Sequence, residues 1–160
     1  MRHEADLGRG CPAWAAMMPA AVVLGSLTIP GRPEHVSRAR AFVAGLVGQT
    51  ALGRSAADTA ALLTSELVTN AMLHTSSGVG GGTVTVVVVD VPDGLMVEVI
   101  DDGSPASGPE VQGDRYAAHG HGLFLVEQLA SRWGYLRDMA GTTVWFQLDG
   151  DGGGGLEGGA

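Results

Sequence analysis

The feature that most constrains the fold is a pair of apolar runs separated by a short turn. Thr83 to Val91 is a nearly continuous run of Val and Thr, and Leu95 to Ile100 is a second run, with Pro92-Asp93-Gly94 between them. β-branched residues favour strands, whereas Pro, Asp and Gly favour tight turns. The sequence therefore predicts a β-hairpin in this part of the chain.

A short strand and two helices are predicted before the hairpin. Leu24 to Ile29 is the strand, and Pro33 suits the first turn of the first helix. Ser55 and Asp58 indicate a capping-box-like start for the second helix, which runs to about His74. The apolar residues of the first helix recur at helical spacing, at Val36, Ala39, Val43, Leu46 and Val47.

The second predicted helix carries a polar pair inside an apolar stretch. Glu66 and Asn70 lie four residues apart, so they share one helix face. If that face borders a pocket, the Glu66 carboxylate can act as a base, and the Asn70 amide oxygen can coordinate a hard cation such as Mg²⁺. Such pairs also occur by chance on solvated helix faces, so the pair alone does not identify a site.

The chain after the hairpin completes the predicted sheet. Gly103 to His119 is rich in Gly, Pro, Ser and Ala and is a candidate mobile lid. A helix from Gly122 to Trp133 and two closing strands, Trp133 to Met139 and Thr142 to Leu148, follow it. We therefore expect an α+β fold, a two-layer α/β sandwich with helices on one face of a mixed, mainly antiparallel sheet.

One domain is expected, over residues 24–149, with a segment of different composition on each side. Residues 1–23 are expected to be a disordered leader, and the Gly-rich residues 150–160 a disordered tail. Cys11 to Gly31 carries no charge. Its Ala-rich stretch is broken by Pro12 and Pro19, however, and Glu4 and Asp6 come before it, which argues against a signal peptide or a membrane-spanning helix.

Charge and residue usage exclude several classes of function. The formal net charge of -8 argues against nucleic acid or an anionic membrane surface as the main partner. All nine basic residues are Arg, which excludes sites that need a lysine, such as a P-loop or a Schiff base. The single cysteine, Cys11, excludes an internal disulfide, and a cytoplasmic location is expected.

Asp101 follows the second hairpin strand and is a candidate residue for recognising a nucleotide base. A carboxylate only accepts hydrogen bonds, so it can take the exocyclic amino hydrogen of adenine and reject the carbonyl group of guanine. Gly103 permits either a tight turn or a close approach of the backbone to a ligand. The alternative is that Asp101 simply forms a turn with Asp102 and Gly103.

Two further blocks suit phosphate and base contacts. Gly120-His121-Gly122 leads into a helix, where successive backbone N–H groups make a concavity for phosphate oxygens. His121 is a candidate phosphate contact in this loop, but the default interpretation is a surface or helix-end histidine. Thr142 begins the last strand and can offer its hydroxyl to a base edge or to a water held there, although threonine is also a common strand residue.

The order of these blocks along the chain carries a family resemblance. The helical pair, Asp101-Asp102-Gly103, Gly120-His121-Gly122-Leu123 and Gly141-Thr142-Thr143 resemble the N, G1, G2 and G3 boxes of the histidine-kinase-like (Bergerat-fold) ATPase superfamily. The resemblance covers about Leu27 to Leu148. Within the superfamily, the phrase Arg132-Trp133-Gly134 and the ending after Gly141 are most similar to the anti-sigma-factor serine kinase branch.

The resemblance implies an ATP-dependent kinase that uses Mg²⁺, phosphorylates a serine of an antagonist protein and holds a sigma factor. It also implies a homodimer. By resemblance, Glu66 is the general base and Asn70 the Mg²⁺ ligand. The residues implied to bind the nucleotide are Asn70, Asp101, Gly103, Gly120, His121, Gly122, Leu123 and Thr142.

One departure from the family pattern leaves two other functions open. Pro105 stands where the second glycine of the G1 box belongs, and a rigid proline can narrow the mouth of the pocket. The first alternative is a non-catalytic module in which ATP only orders the lid. The second is a protein-interaction scaffold that binds no nucleotide.

Overall fold

The described part of the chain forms five strands and three α-helices. The computed structural model describes residues 20–74, 78–103, 121–138 and 141–150. A 3₁₀ turn at Pro33–His35 precedes the first helix. The helices are α1 (Val36–Gly48), α2 (Gly53–His74) and α3 (His121–Leu129). The strands are β1 (Val22–Pro30), β2 (Thr83–Val91), β3 (Gly94–Asp101), β4 (Arg132–Asp138) and β5 (Gly141–Asp149).

The strands form one sheet in the order β1-β2-β3-β5-β4. All four described neighbour pairs are antiparallel, so the prediction of a mainly antiparallel sheet is confirmed, and no parallel pair occurs among these strands. The predicted hairpin is β2 and β3. Val91 pairs with Gly94, which leaves Pro92 and Asp93 as the two loop residues.

The helices and the sheet enclose one main core, which confirms the α+β two-layer sandwich. α1 turns Ala39, Val43 and Val47 toward this core, at the spacing of one helix face. Each fully buried apolar side chain of this size contributes about 1.5–3 kcal/mol. Core residues from all layers include Ile29, Leu63, Val68, Val84, Val86, Val88, Leu95, Val97 and Phe146.

A second apolar cluster lies on the other face of the sheet. Val87, Val89, Val91 and Met96 form it. Strand β2 therefore buries both of its faces, which explains why its sequence is a continuous apolar run and does not alternate. Glu98 projects from the same face as Met96 and is 0% exposed.

Some predicted boundaries were wrong. α2 begins at Gly53, which has a φ of 78°, so Ser55 lies inside the first turn and is not the cap. α3 ends at Leu129, and Trp133 packs on the main core from strand β4, not from a helix. Strand β1 begins at Val22, two residues before the predicted start of the domain.

Several sequence predictions fall on residues outside the described ranges. These are most of the candidate lid, with Pro105 and Gly120, almost all of the leader, and the tail beyond residue 150. Within the described ranges, no helix is both long and apolar enough to cross a membrane.

Candidate functional site

The site is organised around the buried carboxylate of Asp101, the last residue of β3. Its side chain is 5% exposed. The Oδ1 atom accepts two backbone hydrogen bonds, from the N–H of Gly103 at 2.6 Å and from the N–H of Thr142 at 3.1 Å. One oxygen therefore anchors the side chain, and Oδ2 keeps its capacity to accept a hydrogen bond from a ligand.

The charge of Asp101 is set by opposing effects. Burial is the largest and raises the pKa of Asp101 from 3.8 to about 6. The N–H groups of Gly103 and Thr142 lower the pKa, the charge of Asp102 raises it, and the charge of Arg137 lowers it. Because the resulting pKa stays below 7, Asp101 is mainly ionised at neutral pH and is an acceptor only.

Asp102 has a different environment from Asp101, although the two are adjacent. Its side chain is exposed, and its Oδ2 accepts a hydrogen bond from the N–H of Thr83 at 2.8 Å. Asp102 thus ties the end of β3 to the start of β2, while Asp101 is the buried carboxylate. The bond from the N–H of Gly103 to Asp101 Oδ1 forms the turn that the alternative interpretation predicted. The burial of Asp101 and its second bond, from Thr142, are features that a turn alone does not require.

Two glycines allow β3 and β5 to approach each other at this point. Gly103 has a φ of 72°, and a Cβ on it would lie 3.1 Å from the Cα of Gly141. A Cβ on Gly141 would overlap the carbonyl oxygen of Asp101. The absence of both side chains lets the two backbones approach closely, which brings the N–H of Thr142 to the Asp101 carboxylate.

Arg137 completes the site from strand β4 and was not foreseen from the sequence. It pairs with Thr142 in the β4–β5 register, and its Nε donates to Thr142 Oγ1 at 3.4 Å. Its buried Nη1 has no hydrogen-bond partner among the described residues. The sequence feature that could have predicted its position is the short β4–β5 connection, because a short connection fixes the strand register and places Arg137 opposite Thr142.

Glu66 and Asn70 lie one turn apart on α2, as predicted, and both are half-buried. Leu67 and Val68 between them are buried in the main core. α2 packs against β3, β5 and α3, the elements that carry Asp101, Thr142 and the glycine-rich block. The role of Glu66 and Asn70 toward a ligand stays a prediction.

The glycine-rich block is described only in part. Gly120 lies outside the described residues, and α3 begins at His121, as the predicted helix start required. The backbones of His121, Gly122 and Leu123 form the first turn of α3. The structure therefore places a helix N-terminus after the glycine, the arrangement that suits phosphate oxygens.

These residues fit ATP and Mg²⁺ on chemical grounds. Asp101 supplies a buried acceptor for an amino group, and Arg137 has a buried donor atom that lacks a hydrogen-bond partner among the described residues. The two facing glycines let the strands that carry Asp101 and Thr142 approach closely. Glu66 and Asn70 offer oxygen donors, which Mg²⁺ prefers.

Comparison with known proteins places these residues in a family. The family model described as "Histidine kinase-like ATPase domain" matches residues 29–148. The chain is 30% identical over 115 residues to Serine-protein kinase RsbW of Listeria monocytogenes serotype 4a (strain HCC23), covering 65% of this chain and 73% of the relative. The same figures hold for Serine-protein kinase RsbW of Listeria innocua serovar 6a. The resemblance drawn from the four sequence blocks is confirmed.

Proposed function

Since the chain belongs to the histidine kinase-like ATPase domain family, we propose that it is an ATP-dependent protein serine kinase that acts as an anti-sigma factor. The observation that carries this proposal is the buried Asp101 carboxylate, held by two N–H groups and next to Thr142. The similarity to Serine-protein kinase RsbW supports the choice of a protein serine as the phosphate acceptor.

Base recognition rests on Asp101 and Thr142. The free Oδ2 of ionised Asp101 accepts the exocyclic amino hydrogen of adenine, and the Thr142 hydroxyl contacts the neighbouring edge of the base. Guanine presents a carbonyl oxygen where adenine presents the amino group. Two acceptors would then face each other in a buried site, which costs about 1–3 kcal/mol.

The phosphates and the metal ion are assigned to α2 and α3. The N–H groups at the start of α3, with Gly120, His121, Gly122 and Leu123, would hold phosphate oxygens. Asn70 would ligate Mg²⁺ through its amide oxygen. When bound, Mg²⁺ would neutralise charge on the transferred phosphoryl group.

Glu66 is the proposed general base. A half-buried carboxylate on a packed helix is positioned to accept the proton of the attacking serine hydroxyl. Phosphoryl transfer of this kind depends mainly on positioning and charge neutralisation, so no further catalytic group is required.

The proposed partners are an antagonist protein that carries the serine, and a sigma factor that is held when the antagonist is phosphorylated. A homodimer and a cytoplasmic location are proposed with them. Exposed arginines on and before α1, at Arg32, Arg38 and Arg40, are available to an acidic partner surface. They can equally be a solvated helix face.

The test is γ-phosphate transfer from labelled ATP to individually purified candidate antagonist proteins of the host. We expect Mg²⁺-dependent, acid-stable labelling of serine. Glu66→Ala should abolish labelling while ATP binding stays within about threefold of wild type, since the base does not contact adenine. Glu127→Ala, at an exposed position on α3, is the matched control and should label normally.

Two results would replace the kinase proposal. ATP binding without transfer to any antagonist would favour the module in which ATP is a structural ligand. No ATP binding at all would favour the scaffold that works without nucleotide, and its thermal unfolding would not respond to ATP. A bound ligand at 100 times its Kd should stabilise the fold by about 2.7 kcal/mol.

A further inference from the structure

Three residues form one lateral row across the end of the sheet. Asp101, Thr142 and Arg137 come from the neighbouring strands β3, β5 and β4. Thr142 donates its N–H to Asp101 Oδ1, and its Oγ1 accepts from Arg137 Nε. Arg137 thus lies next to Thr142, on the side away from Asp101, and flanks the two residues proposed to contact the base.

Arg137 limits what the Thr142 hydroxyl can do. A hydroxyl group has one proton to donate and two lone pairs that accept, and it rotates to suit its neighbours. An arginine side chain has only donors and does not lose its proton in proteins. Next to Arg137 Nε the Thr142 oxygen must therefore accept, and its proton must point elsewhere. Thr142 is 1% exposed, so few waters compete for that proton.

We propose that Arg137 is a positioning residue for base selectivity, which fixes the Thr142 hydroxyl as a hydrogen-bond donor toward the nucleotide base. The site then presents an acceptor, Asp101 Oδ2, next to a donor, the Thr142 hydroxyl. This proposal rests on the nucleotide binding proposed above and adds a residue to it.

Adenine matches this pair and guanine does not. The adenine amino group donates, and the ring nitrogens on either side of it, N1 and N7, accept. An acceptor and a donor side by side therefore satisfy the amino group and one ring nitrogen together. Guanine has a carbonyl oxygen in place of the amino group and a proton on N1. Without Arg137 the Thr142 hydroxyl could accept as well as donate, so the site would no longer reject a base that carries a proton on N1.

A second observation on Arg137 indicates that the hydrogen bonding of these three residues is incomplete. Its Nη1 is buried and has no hydrogen-bond partner among the described residues. An unpaired buried donor destabilises the folded protein. A nucleotide or a water that enters with it can supply the missing acceptor.

The test measures Kd by calorimetry for four nucleotides on wild type, Arg137→Met and Arg132→Met. The nucleotides are ATP, purine riboside triphosphate, which lacks the amino group, 1-deaza-ATP, which lacks the N1 acceptor, and isoguanosine triphosphate, which keeps the amino group but carries a proton on N1. Wild type should bind the three analogues more weakly than ATP, by about 3- to 10-fold for each lost hydrogen bond.

Arg137→Met should lower the discrimination against isoguanosine triphosphate to less than about twofold, because the freed Thr142 oxygen can then accept the N1 proton, while the discrimination against the other two analogues persists. Arg132→Met changes an exposed arginine of the same strand and should leave all four ratios unchanged. If Arg137→Met does not fold, Arg137→Gln replaces it. The Gln amide can accept the Thr142 proton, so it should lower the same ratio.

Three results would overturn the proposal. The first is wild type that binds isoguanosine triphosphate as tightly as ATP, and the second is Arg137→Met that weakens all four nucleotides equally, as a purely structural role would. The third is Arg137→Met that keeps the full discrimination against isoguanosine triphosphate. The failure of wild type to bind ATP would instead refute the proposed function itself, so the two failures are distinguishable.

Discussion

Glu98 gives the sharpest stability prediction, because it is a buried acid without a partner. Its side chain is 0% exposed, and neither carboxylate oxygen has a hydrogen-bond partner among the described residues. Burial raises the pKa of Glu98 from 4.5 to about 8. The folded protein therefore keeps a proton that the unfolded chain releases between these two pH values.

The sign and size of the effect follow from this difference. The folded state binds more protons than the unfolded state between pH 4.5 and about 8, so stability falls as the pH rises through this window. The slope reaches about 1.4 kcal/mol per pH unit. Over pH 5 to 7 the loss from Glu98 is about 2–3 kcal/mol.

Glu98→Gln removes the titrating proton and keeps the shape of the side chain. We expect the variant and wild type to differ by less than about 1 kcal/mol at pH 5, and the variant to be more stable by about 3 kcal/mol at pH 7. Urea unfolding at pH 5, 6 and 7 measures both. Asp101 titrates in both proteins, so its contribution cancels in the comparison.

Glu127→Gln, at an exposed position on α3, is the control and should follow wild type at every pH. A constant difference between Glu98→Gln and wild type from pH 5 to pH 7 would refute the reasoning. It would mean that Glu98 is ionised in the folded protein and has a partner that compensates its charge.

Two further predictions concern the site. Gly141→Ala should destabilise the fold by about 2 kcal/mol or more and abolish ATP binding, because the added Cβ overlaps the Asp101 carbonyl oxygen. Gly45→Ala is the control, since Gly45 lies in the interior of α1 with nothing within 4 Å of its added Cβ, and it should stabilise the fold by about 0.5–1 kcal/mol. Thermal unfolding measures both variants, and equal effects would contradict the prediction for Gly141→Ala. ATP affinity should fall as the pH drops through about 6, because protonated Asp101 loses its acceptor role. Calorimetry from pH 5 to 8 checks this, and a flat profile would contradict it.

The sequence predicted the elements that local rules determine. The β2–β3 hairpin follows from its β-branched runs and its turn residues, and α1 from the spacing of Ala39, Val43 and Val47. The two-layer architecture followed from their order. Boundaries were less predictable. Gly53 starts α2 through a positive φ, which competes with the capping signal at Ser55, and Trp133 suits the apolar side of a helix and of a strand equally.

The site was predictable only where a motif marked it. Asp101, Gly103 and Thr142 stand in blocks that resemble a known family, and the structure brings them together at one end of the sheet. Arg137 stands in no such block. Its place depends on the strand register between β4 and β5, and its unpaired Nη1 depends on burial. The sequence alone suggests that Glu98 is a solvent-facing strand residue. Its burial could not be predicted, because the alternation of residues does not show that both faces of the sheet are covered.

The most direct test of the account is calorimetric binding of ATP and GTP with Mg²⁺ to wild type, Asp101→Asn and Asp102→Asn. Because Asp101 Oδ1 takes both backbone N–H bonds, the amide of Asn would present its NH₂ to the base and repel the adenine amino group. We predict ATP-selective binding by wild type, loss of at least about tenfold in Asp101→Asn, and little change in Asp102→Asn. Equal affinity for ATP and GTP, or ATP binding that survives in Asp101→Asn, would contradict the account.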